Sequence, residues 1–311
     1  MLCPGHLYVM RHRMRVRNAC FRVFVATIVA LLLLDGDARG ESPYSAPKVG
    51  AEYEISKRYE TSQQTSDGSS GSSRGRDAIL ERVRGVREGG LELEYDLTKD
   101  ATAEDRARSW QFPVRFFRPT NGSMQLLNRP ELEARVESWL KAAGWTRAVC
   151  GRSIFTWDAV RIECDPQSVI KAVEVFDLRP ADLRDGAPYQ ETEALGPGTF
   201  TRRAAGPNGA TFAVAMEIDP DVVRRARADS DVAVGEIMRK PVTLDAALRE
   251  RAKDSVSGTI SVIFETDSAG NVRRRTKVTK VETKGPDGRS ESQTVRETVE
   301  RRSVSEVSTL R

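Results

Sequence analysis

The feature that most constrains this fold is the run of hairpins that closes the chain. "GTISVIFET", "NVRRRTKVTKVE" and "SESQTVRETVERR" each carry strand-forming residues, and the turns "DSAG" and "GPDG" separate them. Asp, Gly and Pro at such positions are hairpin chemistry, so the three segments form an antiparallel meander. Residues 48–98 read the same way. Tyr53, Ile55 and Tyr59 share one face of a strand, and Leu91, Leu93, Tyr95 and Leu97 alternate with Glu92, Glu94 and Asp96 after a turn at Glu88-Gly89-Gly90. Period-two alternation marks a strand with one dry and one wet face. The Ser- and Gly-rich "TSQQTSDGSSGSSRGR" between them reads as a flexible hairpin tip.

Residues 100–206 differ. "NRPELEARVESWLKAAG" is a helix, with Asn128 as cap, Pro130 in the first turn, Gly144 at the stop, and Leu132, Val136, Trp139, Leu140 and Ala143 as its apolar stripe. "DPQSVIKAVEVF" is a second helix capped by Asp165. The Gly- and Pro-punctuated stretch beyond it, through "GPGTFTRRAAGPNG", reads as a long loop. Residues 207–311 open on a strand, "ATFAVAMEI", followed by helices at 220–228 and 244–254. Strands at both ends with helices between define an α+β fold. We expect a curved antiparallel sheet built from the N- and C-terminal meanders, with the central helical segment packed on one face. Two smaller sheets are the alternative.

The N-terminus predicts export. Arg15, Arg17 and Arg22 precede an apolar run from Val23 to Leu34, and small residues follow at Ala38 and Gly40. That is the layout of a secretory signal, and the run is shorter than the ~20 residues a bilayer span needs. Residues 1–40 are therefore expected to be cleaved after Gly40, leaving 41–311 as a single periplasmic or secreted domain with no transmembrane span. Met10 or Met14 is an alternative start to Met1.

Cleavage rewrites the composition. Six Arg and two Asp leave with residues 1–40, so 43 basic residues of 49 face 43 acidic ones of 45, a net charge of zero. The basic isoelectric point is then no argument for nucleic acid. His6 and His12 leave too, which removes histidine-based triads and His-ligated metal sites. Cys150 and Cys164 remain as the only cysteines. Without histidine they make a poor metal site, and their spacing does not match a C-x-x-C redox pair. In an oxidising compartment they form a disulfide, with "IFTWDAVRIE" as a hairpin turning at Asp158-Ala159 between them.

Catalytic motifs find no support. Ser168 and Lys171 have S-x-x-K spacing, but Ser138 and Lys141 repeat it and the companion S-D-N and K-T-G elements do not occur. The carboxylate row Glu92, Glu94, Asp96 reads as a solvated face. No sequence pattern calls for a metal or cofactor. Two features remain. All four Trp fall between positions 110 and 157, so Trp110, Phe112, Phe116, Trp145 and Trp157 are candidates for an aromatic pocket, with a packed core as the competing reading. Arg273, Arg275 and Lys277 line one strand face, a candidate basic surface, with a solvated face as the alternative. The expectation is an exported, non-enzymatic envelope protein that binds an apolar, lipid-like ligand or a protein partner. The alternatives are a hydrolase using carboxylates alone and a structural or adhesive protein without a pocket.

Overall fold

The computed structural model describes residues 48–120, 122–155, 159–178, 182–206 and 209–305. The expected signal at 1–40, with its cleavage site, lies outside them, as do Trp157 and Asp158.

The N-terminal meander is β1 (Glu52–Thr65), β2 (Ser70–Arg87), β3 (Gly90–Leu97), then a short helix α1 (Ala103–Arg108), β4 (Val114–Pro119) and β5 (Gln125–Leu126). Helix α2 (Arg129–Ala142), the hairpin β6 (Ser153–Phe155) and β7 (Ala159–Arg161), and α3 (Ser168–Glu174) follow. A second small hairpin, β8 (Pro188–Tyr189) with β9 (Gly198–Thr199), leads into β10 (Thr201–Gly206) and β11 (Gly209–Glu217). The chain then forms α4 (Pro220–Ile237), α5 (Leu244–Arg251), β12 (Ser255–Thr266), β13 (Val272–Lys284) and β14 (Ser290–Ser303).

Ten strands form one antiparallel sheet in the order β10-β11-β12-β13-β14-β1-β2-β3-β4-β5. The two meanders are thus joined at the centre, where Tyr53 pairs with Ser303 and Thr65 with Glu291. The α+β reading holds, in a single large sheet with two small hairpins beside it.

Register assigns the faces. On one face Ile55 opposes Ile79, Glu81 opposes Tyr95, and Leu93 opposes Phe116. These pack with Leu132, Val136 and Val173 of α2 and α3 into one apolar cluster. On the same face Phe212 opposes Phe264 and Met216 opposes Ile260. There the cover is the segment 183–200, whose Tyr189 and Phe200 rings pack on Phe264. The sheet therefore carries two apolar cores on one covered face. The opposite face is polar: Arg58, Glu60, Arg296, Lys280 and Thr259 are all exposed on it. Leu80, buried on that face, belongs to neither core.

Three local differences from the sequence reading have physical causes. The Ser- and Gly-rich tip is regular ladder: Tyr59 pairs with Gly75 and Gln64 with Ser70, around a turn in which Asp67 accepts the Ser69 amide. Small polar residues suffice where a hairpin projects beyond the core and needs no dry face. Helix α4 continues past 228, because Asp229 pairs with Arg225 and Asp231 with Arg251 of α5. The long loop contains β10, which forms by pairing with β11.

Candidate functional site

The disulfide joins Cys150 to Cys164, with Cα atoms 5.7 Å apart. Closing a loop of this size stabilises the fold by roughly 3 kcal/mol in the chain-entropy model. Ala159 pairs with Phe155, so it belongs to the β6–β7 ladder.

The aromatic candidates separate. Trp110 and Phe116 are buried and Phe112 half-buried in the core formed with α2 and α3. Trp145 is 38% exposed and meets Trp139 edge to face at 5.6 Å, outside that core. The basic row also separates. Arg273 is exposed, whereas Arg275 and Lys277 point to the covered face and are neutralised there. Arg275 donates to Glu191 Oε1 at 2.5 Å; Lys277 reaches Glu191 Oε2 at 3.1 Å and Glu193 Oε2 at 3.0 Å. Two of the three cations of the candidate basic face, Arg275 and Lys277, thus lie in a buried ion-pair network, because the segment 183–200 lays its carboxylates over them.

That network belongs to a polar strip across the middle of the covered face. Lys57 Nζ lies 2.9 Å from Glu297. Further along, Glu81 is fully buried and accepts Arg301 at 2.6 Å and the Tyr95 hydroxyl at 2.7 Å, with Arg118 at 3.5 Å. Burial alone raises the Glu81 pKa, but Arg301 and Arg118 outweigh it and hold the carboxyl below its usual range. Burial raises the Tyr95 pKa, and the Glu81 charge adds to the effect. Each member of the strip meets an opposite charge already supplied by the chain, so the strip needs no ligand to balance it.

The carboxylate row is likewise engaged. Glu92 pairs with Arg87, Glu94 with Arg82 and Arg84, and Asp96 with Arg106. No two of these carboxyls face each other across a gap, which is the arrangement that glycoside hydrolysis requires.

A third place differs from both. On the polar face a shallow cavity of about 160 Å³ lies over β13, β14 and β1. Ser56, Arg58 and Glu60 line it from β1, Arg296, Thr298 and Glu300 from β14, and Arg274 from β13. Glu300 is shared by Arg274 and Arg302, each at 2.9 Å, and these two guanidiniums outweigh its partial burial to keep its pKa low. Arg58 and Arg296 have no carboxylate within 4 Å among the described residues. Three arginines against two carboxylates leave the cavity net positive. The sequence shows Arg296 among the basic residues of its last strand but not Arg58 beside it, because β1 and β14 become neighbours only through a pairing that spans almost the whole chain.

No family model matches this chain, and no curated protein matches it. Among solved structures, a lipovitellin studied for lipid–protein interactions is similar over 82% of this chain and 26% of its own, with 10% identity and a TM-score of 0.39. This chain thus spans about a quarter of the lipovitellin. A mutant porin of Rh. blastica is similar over 79% of this chain and 99% of its own, with 8% identity and a TM-score of 0.18. Neither likeness is high enough to carry an argument about fold or function. Among the described residues no helix is long and apolar enough to cross a membrane.

Proposed function

We propose that this is an exported protein that acts by binding, and that its partner is an acidic protein docking on the polar face of the sheet. The observation that carries this reading is the asymmetry of the two faces. The covered face is filled by helices, by the segment 183–200 and by side chains that satisfy one another. The polar face presents exposed, regularly spaced side chains, and its central cavity holds cations without carboxylate partners. A positive patch meeting a negative partner gains orientation and encounter rate from complementary charge.

Export follows from the signal-like N-terminus, and a mature chain whose mass starts at Glu41 in the exported fraction is the expected result. The docking face is tested by placing a photo-crosslinking amino acid at Lys280, on the polar face, and at Leu195 or Trp145, exposed elsewhere. Adducts in living cells that form at Lys280 alone, with one protein found reciprocally by its own crosslinks, support the reading. Adducts at Leu195 or Trp145 alone overturn the choice of face. A lipid-sized species retained in native mass spectrometry replaces the protein partner by an apolar ligand.

A further inference from the structure

We propose that the cavity on the polar face is a carboxylate-binding site, in which Arg58 and Arg296 together hold one acidic side chain of the partner. This rests on the reading that the polar face is the docking face.

The register places the two guanidiniums. Arg58 opposes Thr298 and Glu60 opposes Arg296, so the arginines are diagonal neighbours across the β1–β14 ladder. Diagonal positions are within reach of long side chains. The cations around them are committed, Arg274 and Arg302 to Glu300 and Arg76 to Glu54. Arg58 and Arg296 are exposed and keep their hydrogen-bond donors available. The hydroxyls of Ser56 and Thr298 add neutral donors to the lining. A cavity of about 160 Å³ has room for a carboxylate and a few waters, each of which occupies ~30 Å³.

Arginine suits this ligand because its planar fork matches a carboxylate two bonds at a time. No aromatic ring lines the cavity, so a base or sugar finds nothing to stack on. Nor is there an aromatic or large apolar side chain in the lining to seat in a bilayer. Glu60 sets the selectivity. It opposes Arg296 without reaching it within 4 Å, and its charge works against every incoming anion, so that one held by a single guanidinium gains less than one held by both.

The test is calorimetric titration of the exported chain at low ionic strength, since surface charges are screened beyond about 8 Å at physiological salt. The probes are a capped tetraglutamate peptide, its tetraglutamine counterpart, inorganic phosphate, and phosphatidylglycerol vesicles. The expected result is binding of tetraglutamate and none of tetraglutamine. Arg58→Gln and Arg296→Gln each weaken it about tenfold, the scale of one charge-assisted hydrogen bond. Glu60→Gln tightens it several-fold, and Lys280→Gln, on the same face outside the cavity, leaves it unchanged. Equal binding of the two peptides, or indifference to Arg58→Gln and Arg296→Gln, overturns the proposal. Tighter binding of phosphate or vesicles overturns the carboxylate as ligand. If tetraglutamate behaves as expected while no crosslink forms at Lys280, the cavity chemistry stands and the docking reading falls. Crosslinks at Lys280 that survive both arginine substitutions keep the docking face and overturn the cavity as the place where the partner is held.

Discussion

Glu81 is the most exacting single residue in this molecule. Its carboxylate is fully buried, yet it faces two guanidiniums and a phenol from three other strands. Burying an ion pair gains little over burying apolar groups, but removing one partner strands the others in a dry place. Glu81→Gln leaves Arg301 and Arg118 without their counter-charge and is expected to destabilise by about 3–5 kcal/mol in urea denaturation. Tyr95→Phe removes one hydrogen bond to the same carboxylate and should cost about 1–3 kcal/mol. Equal effects from the two substitutions would mean that packing, and not charge, sets the value of this site. Arg239 works in the other direction. It follows the α4 C-terminus with φ 56°, in the left-handed region, while Lys240 donates back to the Gly235 carbonyl at 2.8 Å. Glycine adopts that conformation without strain and usually occupies it. Because Arg239 is exposed, Arg239→Gly is expected to stabilise by about 0.5–1 kcal/mol, read as a higher urea midpoint at unchanged slope. A lower midpoint would show that the Arg239 side chain contributes more than its backbone strain removes.

Among the elements, the segment 183–200 is held by charge as well as by its apolar contacts. It covers the aromatic half of the sheet without a helix, and Glu191 anchors it on Arg275 and Lys277. Burial pushes the Glu191 pKa up, but the two cations prevail and bring it below the ordinary 4.5. A folded-state pKa that is depressed adds stability above the unfolded value, and that stability is lost as pH falls through the folded one. Glu191→Gln should therefore destabilise by about 3 kcal/mol at neutral pH, with Glu193 still on Lys277, and should flatten the decline of stability below pH 4.5. An acid limb identical to wild type would remove Glu191 from the set of groups that drive acid unfolding. The same element shows where sequence reading stopped. Alternation in 91–97 and the turns "DSAG" and "GPDG" are local signals, and they placed β3 and the C-terminal meander. The apolar stripe of 129–142 placed α2 and three of its buried residues. Arg275 and Lys277 were visible as a row, but whether a strand face is wet depends on what covers it. Their cover comes from "QETEAL", a polar stretch of no regular period. Helix α1 escaped for a smaller reason. Its capping box, Thr102 with Asp105, uses a residue less usual than Glu at the third position.

At the scale of the whole molecule, the sheet is two five-stranded meanders whose only ladder contact, among the described residues, is β14 with β1. Each meander has its own apolar core, and the strip of charges lies over the joint. This explains why both the covered network and the polar-face cavity sit at the centre: each needs residues from both ends of the chain. Glu81 meets Arg301, Lys57 meets Glu297, and Arg58 stands beside Arg296 only when β14 has docked. Such a contact is long-range in sequence, so its loop-closure entropy is paid late and folding is slow for the size of the molecule. Removing residues 286–311 deletes β14 while leaving both apolar cores nearly complete, Val299 being the one buried core residue lost. If the joint carried no structural weight, that shortened chain would unfold in one transition close to the full-length midpoint. The architecture predicts the contrary. β1 and β13 become open edges, Lys57 loses Glu297 and Glu81 loses Arg301, and the shortened chain should unfold in two broad steps or none. Urea denaturation followed by both tryptophan fluorescence and far-UV circular dichroism decides the matter, because all four Trp lie between positions 110 and 157, ahead of the C-terminal meander. Coincident, full-length-like curves would show two cores that cooperate without their joint. Separated curves would show that the β14–β1 ladder makes one folding unit out of two meanders.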